Sequence, residues 1–178
     1  MASVKFRAHW VLLSALSVSV CGRSTYVPTR GDTYAVYAAA LDSFPRVQAG
    51  KAEVDSLTWA YSPSRQLGDT SRFYVALTQD SGVGPSLLAG LDSANAAPVH
   101  LCDCFPPGRS VALTNRPMRQ DVPGPIGISN VAFSQDGMRA LVAVGYTCGA
   151  LCGHWELYLV RRRGHDWTVE RRLLSGSS

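Results

Sequence analysis

Four apolar segments joined by very short polar connections lie between residues 126 and 174, and this spacing constrains the fold more than any other feature. The connections are Asp136-Gly137, a dipeptide typical of tight hairpin turns, then Cys148–Gly153 and Arg163–Asp166. Connections this short join antiparallel neighbours, because a parallel crossover needs about a dozen residues or more. The sequence therefore predicts a four-stranded antiparallel meander. Its strands are Ile126–Ser134, Met138–Thr147, Trp155–Arg162 and Trp167–Leu174.

A second pattern concerns what covers this sheet. Residues 140–144 (ALVAV) are apolar without alternation, which is typical of a strand that is covered on both faces. Upstream, apolar residues recur every three or four positions over Tyr34–Phe44, which predicts a helix with one apolar face. Asp32 or Thr33 is the candidate N-cap residue of this helix. We expect an α+β fold, with an N-terminal helix packed on an antiparallel sheet that ends in the four-stranded meander.

The rest of the chain gives weaker signals. Residues 52–62 alternate loosely and favour a strand, residues 110–114 favour another, and residues 72–79 fit a strand or a helix. Residues 85–91 favour a short helix with Pro85 in its first turn.

The amino terminus is typical of an export signal. Met1–His9 carries two positive charges and no acid, and Trp10–Val20 is an uncharged, mostly apolar run. A membrane-spanning helix needs roughly 20 apolar residues, so this run has the length of a signal-peptide core instead. We therefore predict a signal peptide at residues 1–22, a short polar tether at residues 23–31, and a single domain at residues 32–178. The alternative is a cytosolic protein with an apolar first helix.

The end of the signal segment leaves two alternatives open. The sequence around Cys21 resembles a bacterial lipobox, in which the cysteine after the apolar run is lipidated and becomes the first residue. Val20 departs from the pattern, which has Gly, Ala or Ser at that position. An ordinary signal peptidase could instead cut after Gly22. Either route leaves four cysteines that can pair, and only lipidation of Cys21 would attach the protein to a membrane.

The charge balance argues against a nucleic-acid partner. The chain has 17 basic and 13 acidic residues, and Lys5 and Arg7 lie in the predicted signal peptide. The balance that remains is too weak for a nucleic-acid-binding protein, which carries a concentrated basic face. Five arginines at 161–163 and 171–172 fall on neighbouring predicted strands. They could keep a sheet edge soluble or form a patch for membrane headgroups or another polyanion.

Searches for catalytic motifs find none. The sequence has no G-x-S-x-G, no H-E-x-x-H and no P-loop. We therefore predict no catalytic residue, no metal site and no cofactor.

Cys148 and Cys152 lie at opposite ends of a predicted hairpin loop. Opposed residues of a non-hydrogen-bonded strand pair have Cα atoms about 4.5 Å apart, which is within the range of a disulfide. Gly149 and Gly153 can adopt the positive φ angles that a tight crossing requires. We predict a Cys148–Cys152 disulfide, in keeping with export to a compartment where disulfides persist.

The segment Gly127–Trp167 also resembles a known group of proteins. Its FS…DG turn, ALVAV strand, CGALCG loop and closing tryptophan are similar to those of uncharacterised exported bacterial proteins, which share a CGxLCG loop between two strands. The resemblance implies an extracytoplasmic domain with a disulfide-closed hairpin. It implies no known activity.

Cys102-Asp103-Cys104 lies outside that resemblance, and its role has three alternatives. The first is a second disulfide, within the pair or exchanged with the hairpin cysteines. The second is a thiol–disulfide exchange enzyme, although such enzymes use Cys-x-x-Cys at the start of a helix. The third is a zinc site, whose ligands would come from His100, Cys102, Cys104, Cys148, Cys152 and His154.

Of these alternatives, we predict disulfides. The function that we expect is that of an exported cell-envelope protein, periplasmic or extracellular, acting as a non-catalytic binding or structural module. The alternative is an enzyme of thiol–disulfide exchange that uses Cys102 and Cys104.

Overall fold

The computed structural model describes most of the chain after the predicted signal peptide. The described residues are 26–45, 52–61, 77, 79, 83–106, 111–116, 124–149 and 152–177. The predicted signal peptide, the proposed lipidation site Cys21 and the first residues of the predicted tether lie outside them.

The described residues form two helices and seven strands. In chain order they are α1 Arg30–Ser43, β1 Ala52–Asp55, α2 Pro85–Ala94, β2 Val111–Thr114, β3 Gly127–Ile128, β4 Ala132–Phe133, β5 Arg139–Gly149, β6 Cys152–Arg163 and β7 Asp166–Ser177. Strands β3, β5, β6 and β7 are neighbours in that order, and β4 also pairs with β5, all antiparallel. The expected mixture of helix and antiparallel sheet is confirmed.

The predicted strand Ile126–Ser134 is broken in two, so the sheet has five strands rather than four. Side chains replace the regular ladder at the break. The Ser129 hydroxyl, rather than a backbone carbonyl, accepts the N–H of Ala143 at 2.9 Å. The Asn130 N–H donates to the Asn95 side chain at 2.8 Å. The backbone therefore leaves the β5 edge after β3 and returns to it at β4.

A parallel pair, β1 and β2, lies beside β3. The N–H of Asp55 donates to the carbonyl of Ile126 at 2.9 Å, and the N–H of Ile126 donates to that of Glu53 at 2.8 Å. These bonds join the small sheet to the large one. Strand propensity alone predicts β1 and β2 but does not reveal their parallel pairing.

Both faces of the large sheet are covered. One face packs against α1, through a cluster that includes Val36, Leu41, Phe44, Val142, Val144, Tyr158 and Val160. The other face packs against α2, through a cluster that includes Leu87, Leu88, Leu91, Leu141, Ala143, Leu157 and Leu159. All side chains of residues 140–144 are 0% exposed, which confirms the prediction that this strand is covered on both faces.

Helix α1 begins earlier than the predicted caps Asp32 and Thr33. The N-cap residue is Thr29, whose hydroxyl accepts the N–H of Asp32 at 3.1 Å. The Asp32 carboxylate accepts the N–H of Thr29 in return, also at 3.1 Å, which completes a capping box. Asp32 is therefore the third residue of the helix. Neither α1 nor α2, the helices of the described chain, is long and apolar enough to span a membrane.

The segment before α1 packs on the turn between β4 and β5. The N–H of Tyr26 donates to the carbonyl of Gln135 at 3.0 Å, and the rings of Tyr26 and Phe133 lie 5.9 Å apart. Gly137, in the turn, has a φ of 67°, and a Cβ at this position would overlap the Tyr26 ring.

Substitution of Gly137 by alanine is expected to lower the free energy of unfolding by about 2–3 kcal/mol, because it combines backbone strain with a steric clash. Gly164→Ala is the matched control: its φ is 63° and no atom lies within 4 Å of its Cβ position, so only the strain of about 1 kcal/mol remains. Urea unfolding followed by tryptophan fluorescence measures both. Equal losses would contradict the packing of Tyr26 on the turn.

Candidate functional site

In the structure, each of the four predicted cysteines lies next to the nearest cysteine in the sequence, so that Cys102 pairs with Cys104 and Cys148 with Cys152. The Cα atoms of Cys148 and Cys152 lie 5.0 Å apart, and those of Cys102 and Cys104 lie 5.2 Å apart. In each pair the sulfur atoms are close enough to bond, an arrangement compatible with two disulfides. Of the three pairings open to four cysteines, this is the one without exchange between the two segments.

The Cys102–Cys104 pair lies in an irregular segment between α2 and β2. The N–H of Cys102 donates to the Tyr34 hydroxyl of α1 at 2.6 Å, and the N–H of Cys104 donates to the carbonyl of Cys102 at 2.8 Å. Asp103 and Cys104 are exposed. No described helix begins at this pair, so it lacks the helix N-terminus that lowers the thiol pKa in redox enzymes.

The Cys148–Cys152 pair closes the end of the β5–β6 hairpin, which we call the cysteine hairpin. The pairing register shifts between Thr147 and Gly149. Gly149 has a φ of 141°, as the tight crossing requires. The same expectation for Gly153 is wrong, because its φ is not positive. Gly153 lies instead in the regular ladder opposite Thr147.

A cavity of about 610 Å³ adjoins the cysteine hairpin on the side of α1, and we call it the helix-side cavity. It is lined by Phe44, Pro45, Tyr146, Cys148 and His154. The rings of Phe44 and His154 are stacked, with centroids 5.9 Å apart and planes inclined by 24°. His154 is thus held between the cavity and the interior of the sheet.

Behind His154 lies a buried carboxylate. His154, Glu156 and Tyr158 are alternate residues of β6 and share one face of the sheet. Glu156, only 1% exposed, accepts hydrogen bonds from Nε2 of His154 at 2.9 Å and from Arg172 of β7 at 2.9 Å. The Tyr158 hydroxyl donates to the other carboxylate oxygen of Glu156.

These contacts decide the charge states of the group. Burial alone would raise the pKa of Glu156, but the hydrogen bonds from Tyr158, His154 and Arg172 outweigh it and hold the pKa below its ordinary value. Burial and the neighbouring carboxylate raise the pKa of Tyr158. Glu156 is therefore an ionised acceptor and Tyr158 a neutral donor. All of the Glu156 contacts are internal, which is typical of a structural charge network rather than of a general acid.

A second cavity, of about 680 Å³, lies at the other face of the cysteine hairpin. We call it the tryptophan cleft. Its lining includes Trp59, Trp155, Gly145, Gly149, Gly153 and Gly176. Trp59 is placed by its backbone N–H, which donates to the carbonyl of Ile128 at 2.7 Å.

Two glycines leave the space that the indoles occupy. A Cβ at Gly145 would lie 3.0 Å from Cβ of Trp155 and 3.1 Å from the ring of Trp59. A Cβ at Gly176 would lie 2.5 Å from the indole nitrogen of Trp155. Real Cβ atoms essentially never approach as closely as the Cβ at Gly176 would, and rarely as closely as that at Gly145, so the indoles rest against bare backbone. Tyr61 lies between them, with ring centroids 5.3 Å from Trp59 and 5.5 Å from Trp155.

The described lining of the tryptophan cleft has several polar groups but little charge. Within the part of the chain that the structure describes, neither indole N–H donates a hydrogen bond. Among the described residues, the lining has no lysine or arginine, and its polar members are Asp55, Thr58, Tyr146, Thr147, His154 and Ser177. The cleft thus combines aromatic walls with available donors and little charge, as small-molecule sites commonly do.

Sequence reasoning did not identify Glu156 or the tryptophan cleft. Trp59 and Trp155 are far apart in the sequence, and only the pairing of residues 126–129 with both β1 and β5 brings them together. A signal for Glu156 does exist. It is the only acid in a strand whose neighbours Leu157, Leu159 and Val160 are apolar.

The zinc alternative gains no support. No three His, Cys, Asp or Glu side chains among the described residues are grouped as metal ligands. The arginine patch is also divided. Arg162 lies 3.5 Å from Asp32 and over the Trp167 ring, while Arg172 binds Glu156.

Comparison with known proteins identified no relative: no protein family model, no curated protein and no solved structure matches this chain.

Proposed function

We propose that this protein is an exported, non-catalytic binding module of the cell envelope, and that the tryptophan cleft is its binding site. The observation that carries the proposal is the cleft itself, a concave site with two half-buried indoles whose N–H groups have no partner among the described residues. Small-molecule sites commonly combine apolar walls with a few polar groups that can orient a ligand.

The rest of the proposal concerns the scaffold. Residues 1–22 are the signal peptide, with Cys21 the candidate lipid attachment site, and helix α1 packs on the sheet as part of one domain. Cys148–Cys152 and Cys102–Cys104 are structural disulfides in an oxidising compartment. The CGxLCG hairpin supports the resemblance to exported bacterial proteins.

The geometry of the cysteine hairpin supports a structural role. The Cys148–Cys152 pair ties together the ends of β5 and β6, the two strands that form the backbone of both cavities. Closing a loop this short removes about 2 kcal/mol of chain entropy from the unfolded state. The pair would therefore hold the floor of the cleft in place rather than react.

The competing function is thiol–disulfide exchange by Cys102 and Cys104. One observation favours it: Cys104 is exposed, so a nucleophile could reach its sulfur. Against it stands the absence, within the described chain, of a helix that begins at this pair.

Intact-mass spectrometry of the protein expressed as the full chain and recovered from the bacterial envelope tests the proposal. We expect loss of the signal segment, a mass gain of four hydrogens on reduction, and peptide maps that show the Cys102–Cys104 and Cys148–Cys152 bonds. The same spectrum shows whether a diacylglycerol is attached at Cys21. We also expect both bonds to stay intact in a glutathione buffer and the protein not to reduce insulin.

Paired variants separate the two functions. If Cys102→Ser/Cys104→Ser abolishes an exchange activity that Cys148→Ser/Cys152→Ser retains, the protein is the enzyme and the binding proposal fails. An uncut chain in the cell interior with all cysteines free would overturn export and, with it, both disulfides.

A further inference from the structure

We infer that the tryptophan cleft binds an uncharged carbohydrate, with a sugar ring against the indole of Trp59. This inference rests on the proposed binding function and names the ligand class of the same cleft.

The aromatic walls of the tryptophan cleft have a chemistry that suits a sugar ring. The face of an indole carries partial negative charge, and the ring edge carries a polar N–H. A pyranose ring has the complementary pattern, with C–H groups on its faces and hydroxyls around its rim. Trp59 and Trp155 offer both kinds of group, since they are half-buried and their N–H groups find no partner in the described chain.

The described lining of the cleft carries little charge. Among the described residues, the lining contains no arginine or lysine, one acid, Asp55, and one histidine, His154. Phosphates, nucleic acids and other anions need basic partners, so the cleft does not fit them. An organic cation would find aromatic walls here but a single acid, Asp55, among the described lining residues, and Asp55 is buried. An uncharged ligand with many hydroxyls fits what remains.

The shape of the tryptophan cleft also suits a sugar ring. The volume of about 680 Å³ lies within the range of small-molecule sites. Among the glycines of the lining, Gly149 has no atom within 4 Å of its Cβ position, which leaves room for a flat ring to approach the backbone there. Ser177, which also lines the cleft, carries a hydroxyl that can donate to and accept from the hydroxyls of a sugar.

The test is the binding of cello-, malto- and chito-oligosaccharides to the mature protein, followed by ligand-observed NMR and by tryptophan fluorescence. We expect saturable binding of at least one series. Trp59→Ala should weaken this binding tenfold or more, because the stacking wall is lost. Trp59→Phe should weaken it less, because it keeps an aromatic ring and removes the N–H donor and part of the stacking surface.

Trp167→Phe is the control, since Trp167 belongs to the hydrophobic cluster on the opposite, α1-covered face of the sheet. The affinity of the Trp167→Phe variant for the sugar should equal that of the unmodified protein. Thermal unfolding measurements check that each variant is folded. If Trp59→Ala does not fold, the comparison of Trp59→Phe with Trp167→Phe decides.

Three results would overturn the inference. One is the absence of saturable binding of any of the three series. Another is binding that neither Trp59 variant weakens, which would place the sugar elsewhere. The third is Trp59-dependent binding of a fatty acid and of no sugar, which would keep the binding module but change the ligand class. Failure of the binding proposal itself has a different readout, which is reduction of insulin that depends on Cys102 and Cys104.

Discussion

Substitution of Glu156 by alanine is expected to lower the free energy of unfolding by about 3–5 kcal/mol, which is the usual cost of removing one partner from a buried charged network. The Glu156 carboxylate is 1% exposed and is the common acceptor of His154, Tyr158 and Arg172. Its removal leaves three donors without their shared partner.

The three donors differ in how they can respond. Arg172 is 58% exposed and can turn its guanidinium into water. Tyr158 is buried, and among the described residues its hydroxyl has one other acceptor, the carbonyl of Ser43 at 3.3 Å. We therefore expect most of the loss to come from the volume left empty beside Tyr158 and from its poorly satisfied hydroxyl.

The pH dependence provides a second readout. The folded-state pKa of Glu156 lies below the ordinary value of 4.5. Its contribution to stability is therefore complete above that value and is lost as the pH falls toward the folded-state pKa. Urea unfolding measured from pH 7 down to pH 3 should show a steeper acid loss in the unmodified protein than in Glu156→Gln, which has no charge to lose.

Glu53→Ala is the matched control. Glu53 forms an ion pair with Arg116 at 2.9 Å, the same distance as that between Glu156 and Arg172, but both partners are 58% exposed. An exposed pair contributes less than about 1 kcal/mol. Equal losses in the two alanine variants would show that Glu156 is not buried in the network described here.

The contrast between Glu53 and Glu156 also shows which features of the fold can be predicted from the sequence and which cannot. Turn chemistry is local, so Asp136-Gly137 and the other short connections were enough to predict β5, β6 and β7 and their antiparallel order. The burial of Glu156 depends on Arg172 of another strand and on the cover that α1 provides. No pattern within β6 specifies those partners.

The same reasoning applies to the candidate site. Spacing alone predicts that Cys148 and Cys152 can meet, because a hairpin brings its own ends together. The tryptophan cleft needs Trp59 to lie beside Trp155, and that follows from the pairing of residues 126–129 with strands on both sides. Pairing between segments that are far apart in the sequence depends on the tertiary structure, and no pattern in this single sequence predicts it.

The break between β3 and β4 leads to the second large effect. Asn95, at the end of α2, is buried and contacts Asn130 in the break. Its side-chain oxygen accepts the N–H of Asn130 at 2.8 Å, and its side-chain nitrogen donates to the carbonyls of Leu91 at 2.8 Å and Asn130 at 3.3 Å. One amide thus joins the end of α2 to the edge of the sheet.

Substitution of Asn95 by aspartate keeps the shape of the side chain but replaces its NH2 donor with an acceptor oxygen. The new carboxylate keeps the acceptor for the Asn130 N–H but turns its second oxygen, in place of a donor, toward two carbonyl oxygens. A buried charge that faces acceptors is strongly unfavourable, so we expect a loss of about 3–4 kcal/mol at pH 7. Asn115→Asp is the control, because Asn115 is exposed and only accepts a bond from Ser56 at 2.7 Å. Its effect should stay within about 0.5 kcal/mol.

The sign of the pH dependence distinguishes this mechanism from a loss of packing. Once protonated, the new acid at position 95 can donate to one of the two carbonyls, so its protonated form suits the folded state better than its charged form. Its folded-state pKa is then raised, and acidification from pH 7 to pH 4 should restore part of the lost stability. The Glu156 network predicts the opposite trend for the unmodified protein over the acidic range. An Asn95→Asp variant whose deficit, relative to the unmodified protein, stayed constant on acidification would show that the amide does not face these carbonyls, and that α2 is held to the sheet by its leucines alone.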